Sequence, residues 1–285
     1  MLNMEKLTDV KYIKTLMREH GTEFKKRFGQ NFLVNDSVLE DIAENADEGV
    51  LEIGPGIGSL TQKLCERAKK VAALEIDSEL IPILNKSLAE YDNVSIINLD
   101  VMKTDIPELI KENFGNMSFS VCANLPYYIT TPVIMLLLEC GVKFSNITVM
   151  IQKEVAARLC ALPGSADYGA ITASVAYYAK AKRLFNVSSG NFVPAPKVDS
   201  SVVRLDLYKE PPVSCHDSDF LFKIIAAAFA QRRKTLVNAL SSGLSISKEE
   251  AVNAIKSVGL DENIRGERLS IAEFAGLCNE IKGKK

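Results

Sequence analysis

From Val50 to about residue 160, short apolar runs alternate with amphipathic stretches. This rhythm constrains the fold more than any other feature of the chain. VLEIG (50–54), VAALEI (71–76), VSIINLD (94–100), FSVCAN (119–124) and ITVMIQ (147–152) read as strands. Segments 59–68, 79–90, 105–113, 131–140 and 153–160 read as the helices between them. Such alternation implies a mostly parallel sheet with helices on both faces. The strands are apolar throughout, as a strand must be when both its faces are covered.

The chain changes character after this region. Two further strands, around 172–180 and at SSVVRLDL (200–207), have no evident helix between them and are expected to form an antiparallel hairpin at the sheet edge. KEPPVS (209–214), with two prolines and no apolar pattern, reads as a linker. Segments 217–230, 232–242, 248–257 and 270–281 carry apolar residues at helical spacing. The expected architecture is an α/β, Rossmann-like sheet domain (24–208) and a small C-terminal all-helical domain (215–285). A polar, mostly helical arm (1–23) precedes them.

Several function classes are set aside by composition. No apolar run approaches the roughly 20 residues that cross a bilayer. The start, MLNMEKLTDVKYIK, carries charges where a signal peptide would be apolar. A cytoplasmic protein with no membrane partner is expected. The six cysteines are widely spaced without a CxxC pair, and there are two histidines. A zinc cluster, a disulfide framework or a histidine-based triad is therefore not expected, and no metal is assigned. The net charge of −2 argues against a nucleic-acid partner, but its distribution softens that argument. Residues 1–35 hold seven Lys/Arg against four Asp/Glu, and 185–285 hold 14 against 12, so both ends are basic. Local clusters stand at Lys25-Lys26-Arg27, Lys180-x-Lys182-Arg183 and Arg232-Arg233-Lys234.

Four segments carry chemistry. LEIGPGIGSL (51–60) places glycines 54, 56 and 58 between a strand and a helix. Lacking Cβ atoms, they let backbone approach a ligand closely. A dinucleotide fingerprint needs a third glycine where Ser59 stands. GxGxG preceded by Glu52 fits better with the nucleoside pocket of S-adenosylmethionine (SAM) methyltransferases. Glu75 ends the next strand, where an acid can accept hydrogen bonds from ribose hydroxyls or, alternatively, cap the turn with Asp77. Asp100 ends the third strand and is either an acceptor for an adenine amine, with Val101 against the ring, or a turn cap. Polar groups at the carboxyl ends of three successive strands mark the edge where ligands lie in open α/β sheets.

The fourth segment is NLPYYITT, from Asn124. An amine on an aromatic base is a poor nucleophile, because its lone pair is delocalised into the ring. Two fixed acceptors around it draw it toward tetrahedral geometry and free that pair. Asn124 offers a side-chain carbonyl, and Leu125 a backbone carbonyl on a peptide held rigid by Pro126. Tyr127 offers a face for a flipped-out base.

Taken in order, KKRFGQNFL (25–33), LEIGPGIGSLT (51–61), LEID (74–77), NLDVMK (98–103), NLPYYITTP (124–132), QKEVAARL (152–159), YGAITASVAYY (168–178), NFVPAPKVDSSVVRL (191–205) and FAQRRKTLVNAL (229–240) resemble the KsgA (RsmA) family of SAM-dependent small-subunit rRNA adenine dimethyltransferases. The resemblance runs from about Phe24 to the C-terminus. It implies N6,N6-dimethylation of two adjacent adenosines in a hairpin loop near the 3′ end of 16S rRNA. It also implies a role in small-subunit biogenesis, with an immature 30S particle as partner and a monomeric enzyme.

By matching position, the resemblance assigns SAM contacts to Asn31, Leu33, Gly54, Glu75, Asp100 and Asn124, to which the reading of Asp100 adds Val101. It assigns the target base to Asn124, Leu125 and Tyr127, with Phe192 as a second stacking partner. Lys25, Lys26, Arg27, Arg232, Arg233 and Lys234 fall inside matched motifs and are expected to touch RNA phosphates. No general base is implied, since a methylated amine is acidic enough to lose its proton to water. The family often has a lysine where Ala166 stands before Tyr168-Gly169, which bears on one RNA contact. The rival readings are an Erm-type large-subunit rRNA methyltransferase, a non-catalytic mitochondrial transcription-factor relative, and an NAD-dependent oxidoreductase.

Overall fold

The computed structural model describes residues 6–231 and 233–283, apart from the side chain of Lys26. Helix α1 (Val10–Glu19) starts at Asp9, whose carboxylate accepts from the backbone N–H groups of Lys11 and Tyr12. The short strand β1 (Phe32–Leu33) and helix α2 (Asp36–Ala43) follow. Then come β2 (Gly49–Ile53), α3 (Ser59–Cys65), β3 (Lys70–Leu74), α4 (Ile81–Ser87), β4 (Val94–Ile97), α5 (Ile106–Phe114), β5 (Phe119–Asn124), α6 (Thr130–Glu139), β6 (Asn146–Gln152) and α7 (Lys153–Leu159). The last sheet region holds α8 (Ala170–Tyr178), β7 (Ala179–Val187), β8 (Phe192–Val193) and β9 (Ser200–Leu207). Helices α9 (Ser218–Ala230), α10 (Leu236–Leu244), α11 (Lys248–Ser257) and α12 (Ile271–Lys282) end the described chain.

Seven strands form one sheet in the order β4-β3-β2-β5-β6-β9-β7. The β2–β3, β3–β4, β2–β5 and β5–β6 pairs are parallel, and β6–β9 is antiparallel. The chain builds outward from β2 to β4, then returns to lay β5 on the other side of β2. That reversal opens a crevice at the carboxyl ends of β2 and β5, where α/β sheets take their ligands. Every residue of β2 is buried, which explains why its sequence does not alternate.

The chain divides into two compact units. The first runs to Ala156 and includes Lys182–Leu207. Its core joins Leu39 and Ile42 of α2, Leu60 and Leu64 of α3, and Val50, Cys122 and Val202 of the sheet. A second cluster packs Ile13, Leu16 and Met17 of α1 against Phe32, Ile57, Leu80 and Ile83. The expected polar arm is thus an amphipathic helix, buried along one face in this unit.

The second unit comprises Ala157–Ala181 and the chain from Tyr208 onward, around Leu221, Ile225, Leu240, Ile255, Leu269 and Phe274. Residues 157–181, expected within the sheet domain, group with the C-terminal helices. The strand expected at 172–180 is in fact helix α8, and the edge strand β7 begins only at Ala179. Thr172, Ala173, Val175 and Tyr177 are rich in strand-forming types, but all are buried on the helix, and packing overrides propensity. The helix expected from 232 starts at Leu236, leaving Gln231 and residues 233–235 in the turn between α9 and α10.

Candidate functional site

A cavity of about 270 Å³ opens at the carboxyl ends of β2, β3 and β5. Gly54 (φ 70°) and Gly56 (φ 63°) sit in the left-handed region after β2. A Cβ on Gly56 would lie 2.9 Å from the Phe32 ring, so that position admits only glycine on two counts. Ser59, the residue that breaks the dinucleotide fingerprint, is buried and donates its hydroxyl to the Leu7 carbonyl at 3.0 Å. It ties the N-terminal segment to the start of α3 while lining the cavity.

Two buried carboxylates line the cavity. Glu75 accepts from the backbone N–H groups of Gly56 (3.1 Å) and Asp77 (2.8 Å). Burial pushes its pKa up to about 7 against the pull of those donors. Glu52 is 1% exposed, and its Oε2 has no hydrogen-bond partner, nor does the hydroxyl of Thr61. Burial pushes the Glu52 pKa up to about 8, opposed by the neighbouring Thr61 hydroxyl, which lies close enough to favour the charged form without reaching full hydrogen-bond geometry, and aided by the Glu75 charge. A buried carboxyl with an unspent oxygen is kept neutral unless a cationic or donor-rich guest stabilises its charge. Asp100 lies past the end of β4. One of its oxygens caps the turn at Met102 N–H (3.0 Å), and the other approaches Lys103 at 3.8 Å. Capping and cavity lining are therefore compatible for this residue. Val101 is buried behind it, and the apolar side chains of Ile76, Leu99 and Met102 are exposed at the rim.

The NLPYY turn forms the opposite wall. Asn124 donates its Nδ2 to the Asn31 carbonyl at 3.1 Å, which orients the amide and leaves Oδ1 an open acceptor among the described residues. Leu125 N–H bonds the Met150 carbonyl at 3.2 Å, anchoring the turn to β6. The Tyr127 hydroxyl pairs with Ser200 Oγ at 2.8 Å and fixes the ring. Tyr128, which the sequence reading left unassigned, is 57% exposed at the rim.

Residues 22–33 form a strap whose last part, 28–33, lines the cavity. Asn31 and Leu33 are among its lining residues, together with Phe28 and Gln30. Phe192 is not. It is 3% exposed, and its β-bridge to Leu33 buries it in the core shared with α2 and α3. Its ring anchors the β1–β8 bridge to that core.

The basic clusters divide as well. Lys25 is not a free cation, because its ammonium pairs with Asp77 at 2.8 Å and Glu79 at 2.7 Å. Arg27 is exposed, with its guanidinium 4.7 Å from the Phe28 ring centroid. Arg233 and Lys234 are exposed in the α9–α10 turn. Arg232 and the Lys26 side chain lie outside the described residues. Among those residues no cluster of three or more His, Cys, Asp or Glu could hold a metal, and no helix is long and apolar enough to cross a membrane.

Residues 21–283 match the family described as ribosomal RNA adenine dimethylase. The chain is 46% identical to ribosomal RNA small subunit methyltransferase A of Alkaliphilus metalliredigens, over 99% of this chain and 100% of that one. It is 48% identical to the protein of the same name from Geobacillus thermodenitrificans, over 94% of each. Among solved structures, a dimethyladenosine transferase from Plasmodium falciparum superposes with a TM-score of 0.73 at 27% identity, covering 89% of this chain and 98% of that one. The 23S rRNA methyltransferase ErmE shares the fold with a TM-score of 0.68 at 24% identity, over 88% of this chain and all of that one.

Proposed function

The chain belongs to the ribosomal RNA adenine dimethylase family, and from that premise we propose that the cavity is the site at which N6 of an rRNA adenosine is methylated twice. The protein is a SAM-dependent small-subunit rRNA adenine dimethyltransferase. The finer reading is that its targets are two adjacent adenosines in the 3′-terminal hairpin loop of 16S rRNA, met by a monomeric cytoplasmic enzyme on an immature 30S particle.

The residues present fit SAM. When bound, SAM supplies an electrophilic methyl group on a cationic sulfur, and the orphaned Glu52 carboxylate suits a cationic guest. Glu75 is placed to accept from ribose hydroxyls and Asp100 from the adenine amine. Gly54 and Gly56 let the backbone come close. Asn31, Leu33 and Val101 complete the wall.

The observation that carries the reading is the Asn124 amide, locked by Asn31 with its oxygen unspent. That oxygen and the Leu125 carbonyl accept the two N6 hydrogens and localise the lone pair on nitrogen. The Tyr127 ring, braced through Ser200, holds the base against them. After the first transfer one hydrogen remains, and a single acceptor suffices for the second. The proton leaves the acidic methylated amine for water, so the site needs no general base. Asn124→Ala is expected to reduce kcat by roughly 10²–10³-fold, the usual effect of losing one preorganised polar group. Its melting temperature should stay close to wild type. A variant that is folded, binds SAM and keeps full turnover would overturn the amine seat.

A further inference from the structure

The strap is fastened at both ends of the cavity, and the fastening near β3 is built from charge. Lys25 Nζ reaches Asp77 Oδ1 at 2.8 Å and Glu79 Oε2 at 2.7 Å, with the lysine side chain 14% exposed. Gln30 Nε2 donates to the other Asp77 oxygen at 2.9 Å. Gln30 Oε1 in turn accepts the Lys25 backbone N–H at 2.7 Å. Thr22 Oγ1 adds a bond to Glu79 at 2.8 Å. The backbone N–H of Asp77 donates to Glu75, the carboxylate that faces the cofactor ribose in the reading above. At the far end, Asn31 O receives the Asn124 amide.

We infer that Lys25, Gln30 and Asp77 form a clasp that positions the strap over the methyl-donor pocket and fixes the Asp77 turn that orients Glu75. They are positioning residues, since none need touch SAM. The clasp ties the segment that lines the cavity through Phe28, Gln30 and Asn31 to the turn that follows Glu75, so loosening it acts on cofactor retention rather than on RNA. Lys25 and Asp77 are withdrawn from solvent, with Glu79 at the exposed edge, and Lys25 and Gln30 share the two carboxylate oxygens of Asp77, so these three act as one unit and not as separate surface pairs.

The test is SAM binding by calorimetry together with steady-state kinetics on unmethylated small subunits, for Lys25→Met, Asp77→Asn and the double variant. Asp77→Asn keeps an oxygen for the Glu79 N–H cap, which guards the local fold. Each single variant is expected to raise the Kd and KM for SAM about tenfold, with kcat at saturating SAM within about threefold and the KM for the particle unchanged. The double variant should be no worse than the poorer single, because coupled partners are not additive. Lys25→Arg should recover part of the loss. Unchanged SAM affinity with a lowered RNA affinity and salt slope would overturn the clasp in favour of a phosphate contact. A lowered melting temperature with unchanged SAM affinity would reduce it to a structural tie. The proposal rests on the methyl-donor reading: a wild type that binds no SAM overturns both, while a wild type that binds and an unaffected Lys25→Met overturn the clasp alone.

Discussion

Glu52 shows how a single buried group links stability, pH and cofactor. Its folded pKa, near 8, lies above the ordinary carboxylate range. Between about pH 4.5 and 8 the folded protein therefore holds a proton that the unfolded chain has released. This contribution favours folding fully below the unfolded pKa and is lost as pH rises through 8. The cofactor-free protein should melt at progressively lower temperature from pH 5 to 8. Glu52→Gln should flatten that slope and weaken SAM binding, as scanning calorimetry and titration would show. A cationic guest favours the ionised carboxylate, so SAM binding should release protons near neutral pH; an unchanged enthalpy across buffers of differing ionisation enthalpy would contradict this. At this scale the sequence was informative wherever a residue type has one plausible use. Asn124, Glu75 and the glycines stand where the strand–turn–helix pattern puts them. Lys25 was illegible, because a lysine in a basic run gives no sign that Asp77, 52 residues on, will claim it.

At the scale of elements, close approach decides the outcome of small changes. Gly243 on α10 lies so near α9 that a Cβ there would stand 2.5 Å from Ala227 Cβ. Alanine in place of a helical glycine gains up to about 1 kcal/mol of propensity, but overpacking costs about 1–3 kcal/mol. The neighbour is a Cβ fixed to its backbone and cannot rotate away, so Gly243→Ala should destabilise by roughly 1–2 kcal/mol in denaturant titration. Gly56→Ala faces both a positive φ and the Phe32 ring, a combined cost of about 2–4 kcal/mol, and should impair SAM binding as well. The parallel strands and most helices were legible because period and length agree there. Helix α8 was not, since Ile171, Thr172, Val175, Tyr177 and Tyr178 are strand-forming types. Its N-terminus is fixed by Thr172 bonding back to the Gly169 N–H at 3.1 Å, a cap without the usual Ser, Asp or Asn at the first position.

For the whole molecule, a net charge of −2 does not exclude an RNA-directed enzyme, because basic residues can cluster locally, as Arg233 and Lys234 do. Arg233, exposed in the α9–α10 turn, should lower the slope of log K against log salt by about one when changed to alanine, with SAM affinity unaffected. The central claim is that the cavity dimethylates paired adenosines of the small subunit. It is tested most directly by incubating the protein with methyl-labelled SAM and small subunits lacking adenine methylation, then mapping the labelled nucleotides by mass spectrometry. The account requires N6,N6-dimethyladenosine at two adjacent loop positions near the 3′ end of 16S rRNA. Label confined to large-subunit RNA, or monomethylation at a single site, would contradict it.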